Sequence, residues 1–456
     1  MRLPRDAATS GGFAADHGVV YGPPMTVPAR RPAQDWRLLL GAFWLTQLVE
    51  TLGMSQVFAL MPAYLRQMGV AEGDRLAFVG LFSSLVFVLG LPLVPLWGVW
   101  ADKVSRKAVI VRSALVEAVV FALMSQVREP WQLAVTVLLI GFQLGNTGVM
   151  LAGIRDVTPR KRLGTTIAIF GLSGPVGFAL GPTLAGIFID GFGWPISSVY
   201  VVSCFLSVAT ALLVTFGTRE IRPEVIPQGR VIPLAFGAVR GVLGDPAVRR
   251  VFAVYGVVFL ANQISRPYTP ILVERITGSG PGLASGIALV MGAAALIGAF
   301  AAPGAGWLGD KLGFRTVLVG ALVVGGGASV LMPLMAALPA LAGAALLLAA
   351  AFSTVTAMVF SLLATEVPPE RRSATLNLVY LPLYVAGIIG PAMGGALAAV
   401  IGPNGPFLLG GLVFIVGAVA LARRRTHAVT STAVSESTAD ANAIAEAEAK
   451  AEAIEA

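Results

Sequence analysis

Three ionisable side chains stand inside long apolar runs, where an ion is costly. Glu50 lies about halfway along the run 38–61, with Gln47 and Met54 on the same helical face. Arg266 is deep in the run 249–273, on a stripe with Tyr255, Phe259 and Asn262, and Glu117 is near the middle of 108–127. A charge at bilayer depth costs about 2.5–3.5 kcal/mol on insertion scales, so each of the three needs a function or a partner. One carboxylate cannot hold a proton and a cation at once, and that exclusion is the minimum requirement for exchange. Glu50 is therefore a candidate for proton coupling or for contact with a cationic substrate. The alternative is a permanent Glu50–Arg266 ion pair joining two parts of the molecule. Glu117 divides in the same way between proton coupling and a structural role. Gln47, Gln143, Asn146, Asn262, Arg266 and Asn377 offer hydrogen-bonding groups for a substrate cavity. Phe82, Phe87, Met150, Phe259, Tyr380 and Tyr384 are either its soft wall or ordinary packing.

The runs that carry these residues dominate the chain. Charged residues make up 12% of it and hydrophobic residues 56%, with a mean hydropathy of +0.82. Soluble domains have roughly 25% charged residues, so most of this chain faces lipid or packed helix. A spanning helix needs about 20 apolar residues. Windows of that kind fall at 38–61, 77–98, 108–127, 131–154, 164–188, 195–218, 249–273, 282–306, 315–337, 339–364, 374–400 and 404–422. The expected fold is all-α and membrane-embedded, with twelve spans in two pseudo-symmetric six-helix bundles, 38–218 and 249–422. Residues 1–37 read as a tail, 219–248 as a hydrophilic linker, and 423–456 as a low-complexity tail rich in Ala and Glu, with no apolar face to bury.

Two halves are indicated by an internal echo. The loop from Gly98 through Asp102 to Lys107 returns 208 positions later, from Gly306 through Asp310 to Arg315. Pro62 answers to Pro270, Gly181-Pro182 to Gly390-Pro391, and Pro159 with Arg162 to Pro368 with Arg371. Duplication on this scale is a signature of secondary transporters.

The pI near 10 does not point to nucleic acid, because the basic residues are sorted by topology. Of the 32 Lys and Arg, 27 fall in the tails or at even-numbered loops. Arg66, Arg75, Arg128 and Arg275 fall on the other side. The positive-inside rule then puts both termini in the cytoplasm. Residues 1–37 lack the apolar core of a signal peptide. The single Cys204 precludes an internal disulfide, and the histidines, His17 and His427, lie in the tails. No cofactor, metal site or catalytic constellation is expected, which disfavours an enzyme. The short, simple tails disfavour a sensor.

The loop motif supplies a family resemblance. Gly98, Asp102, Lys103, Arg106 and Lys107 fit a G-x-x-x-D-[RK]-x-G-[RK]-[RK] pattern, which resembles the signature loop of the major facilitator superfamily. Ser105 stands where that family has glycine, and the second copy keeps Gly313 but has Phe314 at a basic position. The resemblance implies that Asp102 and Arg106 stabilise one conformational state through contacts with the opposite half. Gly98, Asp310 and Arg315 are candidates for the same latch, and topology plus helix capping is the plainer reading of the loop. It also implies that the first and seventh spans line the central cavity, which favours Glu50 over Glu117 as the coupling site.

Direction of transport is suggested by the fifth span. Gly174-Pro175, Gly177, Gly181-Pro182 and Gly186 look like the array carried there by the superfamily's proton-driven exporters. Glycines four apart let another backbone approach closely, so helix packing alone is the plainer reading. The eleventh span repeats the array with Gly387, Gly390, Pro391, Gly394 and Gly395. Leu52, Gly53 and Pro62 are similar to the first-helix motif of the twelve-span drug:proton antiporters, with Ala59 in place of a proline that Pro267 supplies in the second half. The fourth span departs from the family, since 131–154 contains Gln143, Gly145 and Asn146 but no basic residue. The resemblance implies a monomeric inner (plasma) membrane protein that exchanges protons for a drug-like or secondary-metabolite molecule. Uptake of a nutrient or small metabolite with protons is the alternative that the polar set keeps open.

Overall fold

The computed structural model describes residues 35–223, 226–366 and 381–423. Asn377, Tyr380 and the Pro368–Arg371 echo lie outside the described residues, as do most of the two tails.

Helix α1 (Trp36–Gln67) starts where the Asp35 carboxylate accepts the Arg37 N–H at 2.9 Å, satisfying one of the free amides of the first turn. The second predicted span forms α2 (Glu72–Val88) and α3 (Gly90–Lys103). Ser105 then caps α4 (Arg106–Met124) by accepting the Ala108 N–H at 2.9 Å. The fourth span is discontinuous: α5 (Pro130–Leu139) and a 3-10 turn at Ile140–Phe142 lead to a left-handed Gly145, φ 104°, before α6 (Asn146–Val157). Only glycine adopts that φ without strain, so Gly145 sets the position of the break. The first repeat ends with α7 (Leu163–Gly186) and α8 (Ile196–Gly217).

Within the expected linker lies a further helix, α9 (Val231–Gly244), packed on α3. The seventh span is α10 (Pro246–Ser265), a 3-10 turn at Arg266–Tyr268, and α11 (Thr269–Thr277). Then follow α12 (Leu283–Ile287), α13 (Ala293–Leu312), α14 (Phe314–Leu331), α15 (Leu338–Glu366), α16 (Leu381–Ile401) and α17 (Gly405–Arg423). Among the described residues, ten helical segments are long and apolar enough to cross a bilayer. The other two of the twelve expected spans are helical as well. They are α4, which carries Arg112 and Glu117, and α10–α11, which carries Arg249, Arg266 and Glu274.

Within the first repeat α1 packs on α7 and α8, and α4 on α8; within the second, α13 packs on α15, α14 on α15 and α17, and α10 on α16 and α17. The repeats meet where α2 lies against α16 and α7 against α12 and α13. At the first of these meetings a Cβ on Gly80 would stand 2.4 Å from the Pro391 carbonyl and 2.6 Å from Gly395 Cα. Backbone approach of that kind gives membrane helices van der Waals contact that larger side chains would prevent.

Polar contacts between the repeats gather at the end of the molecule formed by the odd-numbered loops. Glu274 accepts from Arg66 and, at 3.2 Å, from Arg75 Nη1. Tyr268 donates to the Leu76 carbonyl at 3.2 Å, and the Ser285 N–H to Asp190 Oδ2 at 2.7 Å.

Candidate polar site in the first repeat

The break at Gly145 exposes carbonyls that an unbroken helix would use. Ser113 Oγ donates to the Gln143 carbonyl at 2.6 Å, and Arg112 Nη2 donates to the carbonyls of Gln143 and Leu144 at 3.3 and 3.4 Å. The Arg112 guanidinium also lies over the Trp97 ring, 3.8 Å from its centroid. Irregular backbone at membrane depth is tolerated only where protein groups satisfy it, as here.

The same break delivers Gln143 and Asn146 to Glu50. Asn146 Nδ2 donates to Glu50 Oε2 at 2.8 Å, and both residues are buried. Gln143 is buried nearby with its Nε2 unpartnered among the described residues, and Arg112 places a positive charge near Glu50. Glu117 is 2% exposed and reaches across to α1 one turn beyond Glu50, where a Cβ on Gly53 would stand 2.9 Å from its Oε1. The two carboxylates repel, and a proton on either removes that repulsion. Glu117 Oε1, Asn146 Oδ1, and Arg112 Nε and Nη1 have no hydrogen-bond partner among the described residues. Buried polar atoms without partners cost free energy, and a cluster of them marks a place that can accept a proton, a water or a ligand group.

The structure thus brings Glu50, Glu117, Gln143 and Asn146 together and adds Arg112, which the sequence reading did not single out. Gln47 is buried on α1, with Oε1 unpartnered among the described residues. Arg266 and Asn262 stand elsewhere, on a cavity of about 320 Å³ between the repeats, walled by α7, α10–α11, α13 and α15, where Thr51 also faces. Arg266 makes no ion pair with Glu50. Its guanidinium lies 4.3 Å from the Phe178 ring centroid and 5.0 Å from that of Phe58. A larger crevice of about 880 Å³ runs between α3, α9, α10 and α16, with apolar walls and Arg249 as its charged lining residue. It holds none of the polar chemistry described above.

The loop residues form a network with the first repeat and the start of the linker. Arg106 pairs with Asp102 at 2.8 Å and with Asp156 at 2.6 Å. Burial works against its charge, but the Asp156 and Asp102 carboxylates outweigh it and hold the guanidinium above its usual range. Ser105 Oγ donates to Glu220, which also accepts the Arg106 N–H at 2.9 Å. Lys107 Nζ donates to the carbonyls of Thr215 and Thr218 at 2.6 and 2.7 Å. In this conformation the side-chain contacts of Asp102 and Arg106 among the described residues are thus to their own repeat, while the Arg106 N–H reaches Glu220 in the linker. In the second copy Asp310 is exposed, and Arg315 Nη2 donates to the Leu421 carbonyl at 2.5 Å. Close packing does not explain Gly98 or Gly306, since a Cβ on either would meet nothing within 4 Å. Gly313 is needed for its backbone, with φ 85°.

The glycine-proline arrays are contact surfaces. A Cβ on Gly177 would stand 2.3 Å from the Leu48 carbonyl, and on Gly181 2.4 Å from that of Leu52, so α7 presses against α1 beside Glu50. Gly186, with Pro182 one turn before it, faces the backbone of Ser285 in the other repeat at 3.2 Å. In α16, Gly390 and Gly394 face Gln263 and Ile264 in the same manner, with Pro391 between them.

Comparison with known proteins agrees with this architecture. The chain is 28% identical over 397 residues to the multidrug resistance protein MdtG of Citrobacter koseri, covering 86% of this chain and 97% of that one. Among solved structures, the nucleoside transporter NupG superposes with a TM-score of 0.67 at 15% identity, covering 84% of this chain and 98% of that one. The human organic anion transporter MFSD10 superposes with a TM-score of 0.64 at 18% identity, covering 86% and 100%. The family model for the Major Facilitator Superfamily matches residues 43–300 and again 251–451. The chain therefore belongs to the major facilitator superfamily and is a multi-pass membrane transporter of small molecules by secondary active transport, not an enzyme.

Proposed function

We propose that this chain exports drug-like or secondary-metabolite molecules in exchange for protons. In this reading it is a monomer of twelve spans in two six-helix bundles, held in an inner (plasma) membrane with both termini in the cytoplasm. The observation that carries the reading is the buried Glu50–Asn146 contact at the broken fourth span, next to Glu117 and Arg112. A carboxylate there changes charge by taking up one proton, and the surrounding unpartnered groups gain or lose a reason to hold their positions. The α1–α7 contact through Gly177 and Gly181 runs beside it, so a change at Glu50 bears directly on the helix whose far end meets the second repeat. Similarity to proteins named for multidrug resistance favours export. The latch role of Asp102 and Arg106 belongs to the same proposal, with the pairings to Asp156 and Glu220 as one of its two states.

The test uses respiration-acidified inside-out vesicles and a fluorescent reporter of the pH gradient. Compounds of several charges are added to the wild type, to Glu50→Gln and to vesicles without the protein. Compound-dependent loss of the gradient in the wild type, absent in Glu50→Gln, is the expected result. Exchange that survives intact in Glu50→Gln moves the coupling site to Glu117. Accumulation of compound with protons flowing in the same direction would establish uptake instead, the reading that the Gln47, Gln143, Asn146 and Asn262 set favours.

A further inference from the structure

We infer that the substrate is a lipophilic anion, held by Arg266 in the cavity between the repeats; the inference rests on the transport reading above and names its substrate class. Arg66, Arg75, Arg106 and Arg155 each have a carboxylate within ion-pair distance, and Arg112 has Glu50 nearby. Arg266 has none among the described residues. Its hydrogen bond is to Gln263 Oε1, at 3.4 Å and thus long, and its guanidinium lies over the Phe58 and Phe178 rings. Aromatic faces return only part of what a guanidinium loses by leaving water. The positive charge is therefore left largely unneutralised where it meets the cavity.

The cavity itself selects the rest of the ligand. Its volume of about 320 Å³ suits one small organic molecule. Phe178, Met291, Leu348 and Phe352 give it an apolar wall, and among the described residues no acidic one lines it. Asn262 and Thr269 stand beside Arg266 on the same helical segment and can donate to an oxyanion. A guanidinium with free N–H groups binds a carboxylate or other planar oxyanion through two parallel bonds. Among the described lining residues a cationic ligand would find no counter-charge, and Glu50, which does not line the cavity, is engaged by Asn146.

A charge balance follows. One proton moving in while one monovalent anion moves out carries two charges in the same direction across the membrane. For a neutral substrate the exchange carries one, and for a monovalent cation none.

Three probes sharing one ring system separate these cases: 1-naphthoate, 1-naphthamide and 1-naphthylmethylammonium. Equilibrium binding to the purified protein is measured first, with the wild type, Arg266→Gln and Arg266→Lys. A charge-assisted bond predicts that naphthoate binds roughly tenfold or more tighter than the ammonium probe, and that Arg266→Gln removes this preference while naphthamide binding changes little. Arg266→Lys keeps part of the preference, which shows that charge rather than folding is at issue, and thermal melting of each variant confirms that it is folded. Tighter binding of the ammonium probe, undiminished naphthoate binding in Arg266→Gln, or no naphthoate binding to folded wild type would each overturn the inference. The transport reading has its own readout: in proteoliposomes, naphthoate-driven proton entry should rise when an inside-negative potential is imposed. Binding preference without any proton movement would sink the exchange reading and leave the anion site standing.

Discussion

Arg66 and Glu274 occupy the same place in the two repeats, 208 positions apart, and are bonded to each other. A pseudo-two-fold relation brings equivalent positions face to face near its axis, as in an isologous contact. Identical charged residues at such a place would repel. Divergence of the two copies to opposite charges turns it into an attraction between the halves, and Arg75, in the first turn of α2, adds a second donor to the same carboxylate.

Removing the Glu274 charge should loosen that end of the molecule. Arg75 is only 6% exposed, so Glu274→Gln leaves a buried guanidinium poorly matched. Arg66 is more exposed, and an intermediate loss of about 1–2 kcal/mol is expected, between the values for surface and sealed pairs. With Cys204→Ser as background, Leu76→Cys reports on the contact that Tyr268 makes beside this cluster. Its labelling by a membrane-impermeant maleimide should be roughly tenfold faster with Glu274→Gln, as a shift of that size implies. Equal labelling rates would show that the cluster does not hold the ends together.

The glycine array predicts a contrast between two positions on one helix. A Cβ on Gly181 would stand 1.9 Å from Ser55 Oγ and 2.4 Å from the Leu52 carbonyl, and backbone cannot swing away as a side chain can. Gly181→Ala should therefore cost about 1–3 kcal/mol through overpacking. Gly171, on the same α7, has nothing within 4 Å of that direction. Gly171→Ala should be neutral or stabilise by up to about 1 kcal/mol, the helix-propensity difference. Thermal melting of the two variants in detergent decides it, and equal losses would refute the contact.

Much of this was open to reading in the chain itself, because period, composition and charge sorting are local properties. Gly181 and Gly390 announce close approach by their types alone. Arg112 is a different case. In the sequence it is one more basic residue near an even-numbered loop, and the fourth span looks bare of positive charge. Only the left-handed turn at Gly145 frees the Gln143 and Leu144 carbonyls that α4 then reaches. A Gln, Gly and Asn within four positions of an otherwise apolar span was the available signal of such a break. Glu274 was missed for a similar reason, since a carboxylate at a span end reads as solvated until its partners, some 200 positions away, are placed beside it. The alternative of a Glu50–Arg266 pair is not met, because helical stripes give the face of each residue but not the neighbour across a cavity.

Ser105 gives the last prediction, and it turns on the departure from the family's glycine. Its hydroxyl both caps α4, by accepting the Ala108 N–H, and donates to Glu220. Ser105→Ala loses both, and its cost should be about 1 kcal/mol for the helix cap with the Glu220 contribution added to it. Ser105→Gly should cost only a few tenths of a kcal/mol as a cap, because glycine is tolerated at that position, but it too gives up the Glu220 bond. The difference between the two variants therefore isolates the cap. The Glu220 contribution comes from a double-mutant cycle of Ser105→Gly with Glu220→Ala, in which a coupling of at least about 0.5 kcal/mol is expected for groups in contact. Melting temperatures supply the cycle. A coupling of zero would mean that Glu220 is held by the Arg106 and Lys107 N–H groups without Ser105, and that serine at this position serves the helix end and not the loop network.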